Sequence, residues 1–155
     1  MDNRTSYLDT LTNFQKLSAG AVEAILMCAE ATEQFANTFD SEDETGSAKW
    51  NTSRAYNHAM ELIGTTELMV RLTSEAANKI NNQSGFAENW CRIAHAIMRA
   101  KEDLNTWSEE GISPTKEDLA KLANSAVQLT IYAFYQSIEA NDKTNFWVES
   151  EKNFV

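Results

Sequence analysis

The chain has 155 residues, 43% of them hydrophobic, with one proline, five glycines and a net charge of −10. That is enough apolar material for one domain with a real core, which excludes global disorder, and too little turn punctuation for an all-β domain. The acidic excess argues against direct nucleic-acid binding and against docking on anionic membrane, and no apolar run reaches the roughly 18 residues of a spanning helix.

The first predicted helix runs from about Ser6 to Phe39. Its stripe reads Leu11, Phe14, Ser18, Ala21, Ile25, Cys28, Thr32, Phe35 and Phe39, with gaps alternating between three and four. That period keeps one side of a helix against a partner. Such a helix is roughly 50 Å long at 1.5 Å per residue. Gly20 lies inside it and marks a close contact, a kink or a break. Cys28 falls on the stripe and reads as a small core residue. Asp40 to Ser47 reads as an acidic loop.

The second helix is expected from about Ala48 to Ile80. Tyr56, Ala59, Ile63, Thr66, Val70, Thr73, Ala77 and Ile80 form the most polar of the four seams, and a break near Gly64 fits the pattern. Asn81 to Gly85 follows as a loop, with Ser84 the expected N-cap of the next helix.

The third helix, Phe86 to about Glu110, carries Phe86, Trp90, Ile93, Ile97, Ala100, Leu104 and Trp107 in an unbroken heptad seam. Gly111 suits a C-terminal stop. Pro114 suits the first turn of the fourth helix, and Thr115 with Asp118 has capping-box spacing. That helix is predicted from Lys116 to Ala140. One face holds Leu119, Leu122, Ala126, Leu129 and Ala133; a neighbouring face holds Val127, Ile131, Phe134 and Ile138. Two apolar faces predict the most enclosed helix of the set. Residues 142–155 either extend it or fold back as an arm carrying Phe146, Trp147, Val148 and Phe154.

Four long amphipathic segments with short connections predict an all-α protein, an antiparallel four-helix bundle forming one domain over residues 1–155. Breaks at Gly20 and Gly64 would raise the helix count to five or six.

Motifs for chemistry are absent. The Glu-x-x-His pair of a di-iron bundle would need Glu three before His58 and His95, where Ala55 and Arg92 stand. Glu88, Cys91 and His95 share one side of a helix but fall short of a four-ligand zinc site. No nucleophile elbow, Walker loop or dinucleotide fingerprint occurs. The expectation is a non-enzyme with no metal and no cofactor.

The charge distribution carries more information. Residues 1–46 hold nine acidic and two basic residues, so most of the acidic excess lies in the first helix and the loop after it. Glu23, Glu30 and Glu33 are placed to share a face, extended by Asp40, Glu42, Asp43 and Glu44, with Trp50 a candidate anchor. A solvated face for solubility is the plain reading of such a run. The functional reading is docking on a basic protein surface, in the extreme that of a nucleic-acid-binding protein by mimicry of DNA phosphates. An inhibitor, immunity protein or adaptor of a bacterium or phage fits that reading. The polar N-terminus lacks the apolar core of a secretory signal, so a cytoplasmic location is expected. Two other readings stand beside it. One is a bundle enclosing a small apolar ligand lined by Trp90, Trp107 and Phe134. The other is self-assembly into a homo-oligomer through a heptad seam.

Overall fold

The computed structural model describes residues 3–41, 53–80, 85–110 and 114–152. They form four α-helices: α1 (Asn3–Ser41), α2 (Arg54–Asn78), α3 (Phe86–Glu109) and α4 (Lys116–Lys152). The fold is an all-α four-helix bundle.

The seams read from the sequence face inward. On α2 the seven seam residues from Tyr56 to Ala77 are buried, as is Ile80 just beyond its end, and on α1 every one from Leu11 to Phe35. The polar character of the α2 seam has a direct cause. Thr66 donates its hydroxyl to the main-chain carbonyl of Ala24 at 3.1 Å, and Thr73 to that of Leu17 at 3.2 Å. Buried hydroxyls are tolerated where they are hydrogen-bonded. As residue numbers rise along α2 their partners fall along α1, so the two helices are antiparallel. Tyr56 ties α2 to α3 in the same way, its hydroxyl donating to the carbonyl of Leu104 at 3.2 Å.

The core divides into two clusters. One gathers Leu11, Phe14, Val70, Phe86, Trp90 and Ile93. Phe14 is its hub, 4.9 Å from the Phe86 ring and edge-on to Trp90 at 6.3 Å. The other gathers Cys28, Phe35, Tyr56, Ile63, Leu104, Leu119 and Leu122. Each large apolar side chain withdrawn from water there contributes about 1.5–3 kcal/mol. Helix α1 packs along both α2 and α4, and α2 along α3, whereas α3 and α4 pack less closely than these three neighbouring pairs.

Several boundaries differ from the sequence expectation. Helix α1 continues through Gly20 without a break. A methyl group at Gly20 would stand 3.0 Å from Met69 Cε, so this glycine marks a close approach between α1 and α2. Helix α2 continues through Gly64, where nothing lies within 4 Å of an added Cβ. Asp40 and Ser41 belong to α1 rather than to a loop. Helix α2 starts at Arg54, where Ser53 caps it by accepting the Tyr56 N–H at 3.1 Å. The N-cap of α3 is Gly85, not Ser84, in the left-handed region at φ 73°, which favours glycine. Thr115 caps α4, so Pro114 precedes the cap instead of entering the first turn. The capping box itself forms: Asp118 N–H donates to Thr115 Oγ1 and Thr115 N–H to Asp118 Oδ2, both at 3.0 Å.

Helix α4 corrects the expectation most. It does not stop at Ala140 but runs to Lys152, so residues 142–152 extend the helix and make no separate arm. It is also not the most enclosed helix: Val127, Ile131, Phe134 and Ile138 all face solvent. Both α1 and α3 meet the inner side of α4, α3 through the Asn89–Gln136 hydrogen bond at 3.0 Å, and the second apolar face points away from both.

Candidate functional site

The acidic face of α1 is built by helical period. Glu23 and Glu30 are seven residues apart, two turns, so their side chains project from one side about 10 Å apart. Glu33 stands one turn beyond Glu30. All three are exposed. No cation lies three or four residues from any of them, because the basic residues of α1 are Arg4 and Lys16. Among the described residues none of the three makes a hydrogen bond or an ion pair. Elsewhere acidic side chains do find partners: Glu67 with Arg71 and Lys101, Glu88 with Arg92, Glu117 with Lys121.

The face holds something the sequence reading missed. Leu26 and Met27 are each nearly half exposed and sit between Glu23 and Glu30. Residue spacing puts Leu26 three from Glu23, four from Glu30 and seven from Glu33, and Met27 four from Glu23 and three from Glu30. The signal was available: both residues are large, apolar and off the seam. The result is a small exposed apolar pair flanked by three unpaired carboxylates. Protein interfaces likewise set apolar contacts beside polar ones.

The side chains of the remaining residues of the expected site lie outside what the structure describes. Asp40 lies in the last turn of α1, and its side chain is outside the described residues. Glu42, Asp43, Glu44 and Trp50 are outside them altogether, as is Phe154. Phe146 is exposed on α4.

Other candidates are placed more simply. Cys91 and His95 are exposed on α3, and Glu88 beside them pairs with Arg92 at 2.7 Å. Among the described residues no three His, Cys, Asp or Glu side chains gather as a metal site. Cys28 is buried, and burial pushes its thiol up from the ordinary value, with hydrogen bonding to Thr66 and Thr32 opposing the shift. Trp90, Trp107 and Phe134 do not converge: Trp90 is fully buried against Phe14, Trp107 lies half-buried in the other cluster, and Phe134 faces solvent. A different cavity, about 50 Å³, occurs where the helices meet, walled by Ile25, Cys28, Ile63, Ile97, Leu122 and Leu129.

No protein-family model matches this chain, and neither a curated protein nor a solved structure matches it. No described helix is long and apolar enough to cross a membrane.

Proposed function

We propose that this protein is a non-enzymatic binding module that docks α1 on a basic surface of another protein, as an inhibitor, immunity protein or adaptor. The observation that carries this reading is the row of unpaired carboxylates, Glu23, Glu30 and Glu33, beside exposed Leu26 and Met27. Charge of one sign steers a basic partner and rejects acidic ones, and the apolar pair supplies contact area that water leaves on docking. An unpaired exposed carboxylate gives up no existing ion pair when it meets a lysine or arginine. A partner that normally holds nucleic acid is the extreme case, since its basic surface is already spaced for phosphates.

The test is reversal of the three charges together, Glu23→Lys, Glu30→Lys and Glu33→Lys. Binding to the partner should fall by about tenfold or more and lose its salt dependence, because rim charges act through screened long-range attraction. Unchanged binding by the triple variant would sink the reading.

A second reading is favoured by the cavity of about 50 Å³ at the helix junction. The cavity has about a third of the roughly 150 Å³ that admits benzene, so only an apolar molecule of a few heavy atoms would fit between its walls. Native mass spectrometry of the purified protein, showing added mass or none, decides it.

A further inference from the structure

Helix α4 shows one face to solvent that the acidic-face reading does not use. Val127, Ile131, Phe134, Tyr135 and Ile138 are between 41% and 61% exposed. From Leu122 to Ile138 there is no charged residue, in a chain whose net charge is −10. Solvent-facing helix surface ordinarily carries charge, so a charge-free apolar stripe of this length reads as contact surface.

The order of residues along the stripe says what it contacts. Asn124, Val127, Ile131, Phe134, Ile138 and Asn141 are spaced three, four, three, four and three. That series reads the same in both directions. Reversing the helix about the midpoint between Ile131 and Phe134 lays Ile131 on Phe134, Val127 on Ile138 and Asn124 on Asn141. Apolar residues then meet apolar ones, and an amide meets an amide at either end. A surface that complements its own reversed copy is what an isologous two-fold interface requires. The three-four spacing also keeps the stripe facing a second helix along its length.

Area and charge agree. The five apolar side chains expose together about 400 Å² per chain, on the scale of 150–250 Å² for a whole aromatic side chain. Two copies would bury up to about 800 Å² from these side chains, and the exposed Asn124 and Asn141 at the two ends extend the contact towards the roughly 1,000 Å² that separates specific interfaces from chance contacts. Two strongly acidic chains repel at most approaches, and this face lets them meet without opposing like charges. We propose that the protein forms a homodimer in which α4 packs antiparallel on α4 of a second copy, centred between Ile131 and Phe134. The pairing rests on α4 and does not depend on the function proposed for the acidic face of α1.

Analytical ultracentrifugation across the micromolar range should show a species of twice the chain mass of 17.4 kDa. Phe134→Asp, and separately Ile131→Asp, should return it to a monomer with unchanged helical circular dichroism, since both side chains already face water. The direction of pairing is read with a short bis-maleimide in a Cys91→Ser background. Mixed Asn124→Cys and Asn141→Cys chains should crosslink to each other far more than either does to itself. A wild-type monomer throughout, a dimer indifferent to both aspartates, or crosslinking of Asn124→Cys chiefly to itself would each overturn the proposal.

Discussion

Lys101 of α3 places its ammonium 2.8 Å from Glu67 of α2, whose other carboxylate oxygen is 2.8 Å from Arg71. The glutamate side chain is largely covered, while both cations are more exposed. The hydrogen bond from Lys101 is the main reason the Glu67 carboxyl is held below the usual carboxylate range; burial works against it, and the charges of Lys101 and Arg71 add to it. A depressed carboxyl stabilises the fold at pH values above its unfolded value, here ordinarily 4.5, and that contribution is lost as pH falls through the folded value. Glu67→Gln should therefore cost about 0.5–1 kcal/mol near neutrality. The deficit should shrink in acid and vanish where both carboxyl states are protonated. Urea unfolding of both proteins at several pH values measures this, and a deficit that grows in acid would contradict it.

The two helical glycines should respond differently to alanine. Gly64 lies mid-helix with open space around an added Cβ. Gly64→Ala should stabilise by about 0.5–1 kcal/mol through helix propensity and reduced freedom of the unfolded chain. For a chain of this size that raises the melting temperature by about 1–4 °C. At Gly20 the new methyl would press on Met69 Cε at 3.0 Å, so Gly20→Ala should gain less than Gly64→Ala. Thermal melts of the two single variants give the comparison directly.

Thr66 and Thr73 hold α2 to α1 through two carbonyls that already serve as acceptors within α1. Thr66→Val keeps the shape and deletes the hydroxyl, and should cost about 1 kcal/mol. Thr73 also donates to its own helix at Met69, 2.8 Å away, so Thr73→Val removes two bonds of a shared donor and should cost a similar amount. The sites are two turns apart, and the double variant should show nearly additive loss in denaturant titration.

Native thiol chemistry should separate the cysteines. Cys91 is exposed, while Cys28 is buried with its thiol pushed up by burial, which lowers its thiolate fraction at any given pH. Iodoacetamide at neutral pH should modify Cys91 quickly and Cys28 only as the bundle opens. Intact mass should show one adduct under native conditions and two in denaturant. Equal rates at both positions would mean that the second core cluster opens far more readily than its packing implies.

The four seams were legible from the sequence alone, because a period of three and four residues is a local property of each helix. Leu11 to Phe35, Tyr56 to Ile80 and Phe86 to Leu104 turn inward as that period dictates, and the Thr115–Asp118 cap forms as its spacing dictates. Other features depend on distance between elements. The sequence marks Gly20 as unusual, but only the position of Met69 on α2 explains it as a close approach. Glu23, Glu30 and Glu33 could be assigned a shared face from spacing, and Leu26 and Met27 could be placed off the seam, but how far the two stay exposed follows from where α2 and α4 lie against α1. The second apolar face of α4 shows the division most plainly. Periodicity names Val127, Ile131, Phe134 and Ile138 as a stripe, and burial of such a stripe requires a neighbouring helix at packing distance. With α1 and α3 both lying against the inner side of α4, no described helix is left to cover its outer one.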